Sequence, residues 1–294
     1  MSALPTILLI APNGMLGTAW RKLLIAKDIP YRTAALPEFD ITDPNAIAKF
    51  VTPDIGVVIN CCAYTNVDGA EESEEIATLV NGTGVGYLAQ ACKQADALLI
   101  HYSTDYVFNG VATEPYKVDG PIEPCNAYGR SKAEGEKEIR EHDCQHLILR
   151  TSWLYAPWAK NFVLTISKYA KERDSLKVVN DQHGRPTSVE HLAATSLKLI
   201  EEGARGTLHV TDGGQCSWYD FAVVIAEHAN PACKVVPCTS AEYPLPALRP
   251  KYSVLDLGPT EAIVGKMPDW HENLNNVLNQ IGHKEAQEVQ QKAS

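Results

Sequence analysis

Residues 6–20 read TILLIAPNGMLGTAW: a short apolar run, a turn, and the opening of a helical pattern. Ile7-Leu8-Leu9-Ile10 has the length and unbroken apolarity of a strand buried on both faces. Residues 18–27 continue with helical spacing. In the turn between them, Gly14 and Gly17 occupy two of the three positions of a G-x-x-G-x-x-G loop, and the first position is Ala11. Such a loop brings backbone N–H groups at a helix N-terminus close to a pyrophosphate. The same residues also suit an ordinary strand-to-helix turn, so the surrounding sequence has to decide.

Working outward, the pattern recurs. Apolar runs at 31–36, 55–60, 98–103 and 147–150 alternate with helical stretches, which predicts a parallel sheet with right-handed crossovers. Further on, 161–173, 189–202 and 217–228 read as helices, and 176–179 and 207–210 as strands. Prolines crowd the chain after residue 230, and the polar tail 283–294 is expected to fray. The expected fold is α/β: a doubly wound parallel Rossmann sheet with a smaller, interrupted C-terminal α/β substrate lobe. Residues 1–155, joined by strands near 176–180 and 207–211, form the nucleotide domain. Residues 156–175 and about 212–294 form the lobe.

Composition excludes other classes. At 294 residues the chain can bury a sizeable core without disulfides or metals. With 45% hydrophobic and 21% charged residues it is neither disordered nor fibrous. No apolar run reaches the roughly 18 residues of a membrane span. The start, MSALPTILLIAPNG, lacks the basic segment of a secretory leader. A net charge of −10 without a basic run argues against nucleic acid as a partner. The eight cysteines form no C-x-x-C pair and no zinc-ligand spacing, so free thiols in a reducing cytoplasm and no metal are expected.

Tyr128 and Lys132 in NAYGRSKAEGE stand four apart, on one face of a predicted helix. An adjacent ammonium favours the phenolate and tunes a tyrosine for proton transfer. Composition alone would supply such a pair about as often as not, so context again decides. The run 98–103 ends in hydroxyls, Ser103-Thr104, where ligands sit in open α/β sheets. The run 55–60 ends in small side chains, Cys61-Cys62-Ala63, which leave room for a cofactor. His101, His209 and His228 read as packing residues, Trp20, Trp218 and Trp270 as fillers between helices, and the acidic run 71–75 as a solvated helix start.

Together, the stretches INCCAYTNVDGAEE, HYSTDYVFNG, PCNAYGRSKAEGE, LRTSWLYA, LKVVNDQHGRPTS and ALRPKYSVLD are similar to the extended short-chain dehydrogenase/reductases. Within that superfamily the chain resembles the dTDP-4-dehydrorhamnose reductase family over about residues 6–280. The resemblance implies NADPH- or NADH-dependent reduction of dTDP-4-dehydro-β-L-rhamnose, with NADPH preferred. It implies Tyr128 as acid, Lys132 as its activator and Thr104 as the hydroxyl that polarises the carbonyl. Asn13, Gly14, Met15 and Leu16 match the phosphate loop; Asp40 and Ile41 match the adenine cradle. Cys62, Ala63, Tyr64 and Asn81, with Tyr128 and Lys132, match the remaining cofactor positions. Thr65, Thr104, Asp105, Tyr106, Trp153 and Asn161 match contacts to the sugar nucleotide. A homodimer in the cytoplasm fits the resemblance. Two positions depart from the family pattern: Ala11 replaces a loop glycine, and Asn109 stands where an acid usually follows STDYVF.

Two other readings stay open. One keeps the site and changes the substrate, giving an epimerase or reductase on another nucleotide sugar. The other is a non-catalytic NAD(P)-binding regulatory protein, like the regulatory subunit of methionine adenosyltransferase.

Overall fold

The structure is a computed structural model that describes residues 6–293. The chain opens with β1 (Thr6–Ile10), α1 (Met15–Ala26), β2 (Tyr31–Ala34), α2 (Pro44–Phe50) and β3 (Ile55–Asn60). Three short helices follow, α3 (Val67–Glu72), α4 (Glu74–Thr78) and a π-turn at Leu79–Thr83, running into α5 (Gly84–Ala95). Next come β4 (Leu98–Thr104), α6 (Ala127–Glu141), β5 (His146–Thr151) and β6 (Leu154–Tyr155). The later half holds α7 (Phe162–Glu172), β7 (Ser175–Val179), β8 (His183–Gly184), β9 (Thr187–Ser188), α8 (Val189–Glu201) and β10 (Gly206–His209). It finishes with β11 (Cys216–Ser217), α9 (Trp218–Ala229), β12 (Lys234–Cys238), α10 (Gly258–Val264) and α11 (Trp270–Ala293).

Six strands form one sheet in the order β10-β5-β4-β3-β1-β2, every pair of them parallel. The order reverses between β1 and β3, and the crevice outside the carboxyl ends there is where ligands bind such sheets. Apolar side chains on one sheet face (Leu9, Ile59, Ile100, Leu149) pack against Trp20 of α1 and Leu192 of α8. On the other face Leu8, Val58 and Leu99 pack against Leu88 of α5 and Ile139 of α6. Buried on both sides, the strands need continuous apolar runs, which is why they read so clearly.

The strand expected near 176–180 does not join that sheet. β7 pairs in parallel with β12, in register from Ser175 with Lys234 to Val179 with Cys238. The physical reason lies in its pattern: Leu176 and Val178 are buried while Ser175 and Lys177 are exposed, so it has only one face to bury. That face packs into a separate core of Val163 and Ile166 (α7), Phe221 and Ile225 (α9), and Trp270 and Leu274 (α11). β10 does sit at the sheet edge beside β5. The tail also differs from expectation: α11 carries helix to Ala293, through Glu, Gln, Ala and Lys, all good helix formers.

Candidate active site

The carboxyl ends of β1, β3, β4 and β5 open onto a cavity of about 580 Å³. Gly14, Met15 and Leu16 form one wall, at the start of α1, with Cys62, Ala63 and Thr65 beyond β3. Tyr128 and Lys132 of α6 and Trp153 after β5 complete the expected lining. The loop packs tightly: a β-carbon on Gly17 would collide with the Ala11 carbonyl oxygen and the Pro12 backbone. Ala11 itself has φ +56, a left-handed conformation that glycine adopts without strain and alanine does not.

α6 is aimed by its first turn. Asn126 caps it, its side chain accepting from the Gly129 N–H at 2.7 Å, and Glu71 accepts from the Ala127 N–H at 2.8 Å. Glu74 takes a two-point bond from Arg130. The acidic run is therefore a docking edge for α6 as well as a helix start. Tyr128 and Lys132 then project from the same face, as the four-residue spacing requires.

Lys132 is 2% exposed and donates to the Tyr102 carbonyl at 2.7 Å. Burial pulls its pKa down to about 8, against the opposing pull of Glu136. Burial, followed by the charge of Asp105, raises the Tyr128 hydroxyl above its ordinary value, and its hydrogen bond with Thr104 works the other way. Asp105 is 2% exposed; burial pushes its carboxyl up to about 6, although Ser253 and Thr104 hydrogen-bond to it. Tyr128 thus stays protonated at neutral pH, ready to act as an acid.

Behind the site, Glu136 accepts from Ser103 at 2.5 Å, from Arg150 Nε and Nη2 at 2.8 and 2.7 Å, and from Arg140 at 2.7 Å. Burial would raise this carboxyl, but Arg150, Ser103 and Arg140 outweigh it and hold it near 2. This cluster fixes α6 to β4 and β5.

Other expected residues lie off the cavity. Asn13 is exposed and accepts from Arg21, and Asp40 accepts from the Thr42 N–H and hydroxyl. Ile41 is buried in the core. Asn81 sits in the π-turn and brackets the Tyr64 backbone, with its Nδ2 also donating to Ser131. Asn161 caps α7, accepting from Leu164 N–H, and its Nδ2 donates to the Ala156, Trp158 and Ala159 carbonyls. Its amide is committed to the chain.

A second cavity, of about 600 Å³, adjoins the first. Tyr106 lines it and meets Tyr128 edge-on at 5.9 Å. Trp153, lining the first cavity, stacks at 3.7 Å on Trp218, which lines the second. Trp218 is therefore a cleft wall as well as a filler. Tyr169, with Arg173 over its ring, Lys177 and Arg249 give this cavity aromatic faces and positive charge.

Sequence reasoning passed over His101, which is fully buried with Nε2 3.2 Å from Lys132 Nζ. One signal was available. His101 lies two residues before Ser103 in an apolar strand, so both point to the face that α6 covers. Arg249 and Lys177 lie in stretches that carry the resemblance, but no spacing or pattern singled them out as site residues.

A parallel sheet whose switch-point loop faces a Tyr-x-x-x-Lys helix and a strand-end hydroxyl defines a nucleotide-dependent enzyme of the extended short-chain dehydrogenase/reductase class. The family described as RmlD substrate binding domain matches residues 5–283. A dTDP-4-dehydrorhamnose reductase of Burkholderia thailandensis is 38% identical over 287 residues, 90% of this chain and 95% of its own. The Escherichia coli K12 reductase is 38% identical over 82% of this chain and 85% of its own. A Clostridium acetobutylicum dTDP-4-dehydrorhamnose reductase structure superposes with TM-score 0.91 at 41% identity, covering 94% and 99% of the two chains. The Bacillus anthracis enzyme in complex with NADP gives 0.88 at 34%, covering 94% and 99%. The chain belongs to the dTDP-4-dehydrorhamnose reductase family.

Proposed function

We propose that this protein reduces the 4-keto group of dTDP-4-dehydro-β-L-rhamnose, giving dTDP-β-L-rhamnose, with NADPH preferred over NADH. The observation that carries this reading is the convergence of Thr104, Tyr128 and Lys132 beside a cavity walled by the Gly14–Leu16 loop. The residues fit a dinucleotide. A β-carbon at Gly14 would meet only the Ala11 carbonyl oxygen, at an ordinary 3.5 Å, so the loop is open there. The side chains beyond β3 are small, and Lys132 has a donor left for a ribose hydroxyl.

Held by the Gly14–Leu16 loop and Lys132, NADPH would supply hydride-donating chemistry beside the sugar C4. Tyr128 supplies the proton to the carbonyl oxygen, and Thr104 stabilises the developing charge as a fixed hydroxyl dipole. The second cavity receives the nucleoside diphosphate: Trp218 and Tyr169 offer faces to the base, and Arg249 and Lys177 offer charge to the phosphates. Tyr106, on the wall of the second cavity, meets Tyr128 of the first, so the sugar lies on the Tyr128 side of that contact and the nucleotide on the Tyr106 side. An assembled acid, hydroxyl and lysine favour catalysis over a purely regulatory role.

The family's place in sugar-nucleotide synthesis supports a cytoplasmic enzyme, and a homodimer is the oligomer we propose. Among the described residues no helix is long and apolar enough to cross a membrane. The test is NADPH oxidation followed by absorbance with a panel of nucleotide 4-keto sugars. Turnover fastest with dTDP-4-dehydro-L-rhamnose is expected; no oxidation with any of them, by protein shown to be folded, overturns the reading. A hundredfold tighter binding of NADH than NADPH would overturn the cofactor assignment.

A further inference from the structure

Lys132 stands at the end of a buried chain of polar groups whose hydrogens can be counted. The chain begins at the backbone of Cys62, whose N–H donates to Asn60 Oδ1 at 3.0 Å. That bond orients the Asn60 amide and leaves Nδ2 facing His101 Nδ1 at 3.2 Å. An amide nitrogen only donates, so Nδ1 must accept. A neutral imidazole accepting at Nδ1 carries its hydrogen on Nε2. That N–H points at Lys132 Nζ, 3.2 Å away. A charged ammonium has only donors to offer, whereas a neutral amine has a lone pair. Charging His101 would only add a second N–H, facing Asn60 Nδ2, and full burial and then the Lys132 charge in any case lower its pKa well below the ordinary value.

We propose that Asn60, His101 and Lys132 form a two-state relay in which His101 opposes the charging of Lys132, the lysine gaining its proton only as the ring changes tautomer and Asn60 turns over its amide. The balance is one proton. It enters at Nδ1, the Nε2 hydrogen passes to Nζ, and the heavy atoms stay in place except for the Asn60 amide. Turning that amide over gives up the Cys62 N–H bond, so the lysine's charge is tied to a backbone amide in the cofactor cleft.

The charged and titratable groups around the relay come from three sides. Cys62 follows β3, Tyr128 and Glu136 lie on α6, and Arg150 of β5 neutralises Glu136. Asp40 acts on Cys62. None of them donates to or accepts from either imidazole nitrogen, so the parity of the chain rests on Asn60 and Lys132. His101 is a positioning residue acting through Lys132, and its role rests on the proposed reduction with Tyr128 as acid.

The test uses 15N-labelled histidine in the whole apo protein, with the His101 signals identified by His101→Gln. The expected spectrum shows Nε2–H at high pH, turning to Nδ1–H with a single midpoint as Lys132 charges, within about pH 6 to 10. Lys132→Met should abolish the response. In Asn60→Asp the carboxylate only accepts, so the ring should stay Nδ1–H throughout, and the basic limb of the kcat/KM profile should rise by about one pH unit or more. An unchanging tautomer in the natural protein, or the same response in Lys132→Met, overturns the relay. These spectra need no substrate, so they stand or fall separately from the reduction itself.

Discussion

Asn81 holds the peptide of Tyr64 from both sides: its Oδ1 accepts the Tyr64 N–H at 2.9 Å and its Nδ2 donates to the Tyr64 carbonyl at 2.9 Å. The same Nδ2 reaches Ser131, one residue before Lys132, at 3.0 Å. One amide in a π-turn thus ties the cavity wall beyond β3 to α6, the helix that carries Tyr128 and Lys132. Asn81→Leu leaves a strand-end peptide and the Ser131 hydroxyl without these partners. The expected cost is about 2–3 kcal/mol of stability, read from denaturant midpoints, with a weaker NADPH dissociation constant. Asn81→Leu with unchanged stability and cofactor affinity would show that the bracket is dispensable.

Tyr128→Phe removes the hydroxyl proposed to give the substrate its proton. Turnover should fall by about two to four orders of magnitude, the usual worth of a general acid, with cofactor binding by calorimetry nearly intact. Retained turnover would remove Tyr128 from the mechanism.

Ala11→Gly should relieve strain at φ +56. A left-handed alanine costs about 1–2 kcal/mol, and the extra freedom of an unfolded glycine takes back roughly half of that. A rise in Tm of about 1–3 °C is expected from the size scaling of unfolding, with modestly tighter NADPH binding. A fall in Tm would mean that the loop makes better use of the methyl group than its backbone angle suggests.

Acid stability should carry two opposite slopes. Glu136, held near 2, is lower than in the unfolded chain, so its stabilisation is present above about pH 4.5 and is lost as pH falls toward 2. Asp105, near 6, is higher than in the unfolded chain, so the native state gains stability as pH falls from 6 toward 4. Urea midpoints across pH 2–7 should therefore rise slightly and then drop. Asp105→Asn should erase the rise. Glu136→Gln should flatten the drop while destabilising the protein at pH 7 by about 3–5 kcal/mol, because Arg150 is left buried without its carboxylate. Identical profiles for all three proteins would refute both assignments.

The doubly wound sheet was legible from residues 6–20 and the four later apolar runs because strands buried on both faces have no polar side to blur them. The pairing of Tyr128 with Lys132 was legible because a helix repeats every 3.6 residues. Both are local rules. Only the tertiary structure decided that β7 pairs with β12 and not with the central sheet, since a strand's pattern shows how many faces it buries and not its neighbour. Only the tertiary structure set His101 against Lys132, 31 residues apart in the chain, and gathered Tyr106, Trp218 and Arg249 around one cavity. It also committed Asn161 to capping α7 and put Ala11 in a left-handed conformation. Hydrogen-bond parity and cavity shape depend on groups brought together through space, and no periodicity along the chain records which groups those are.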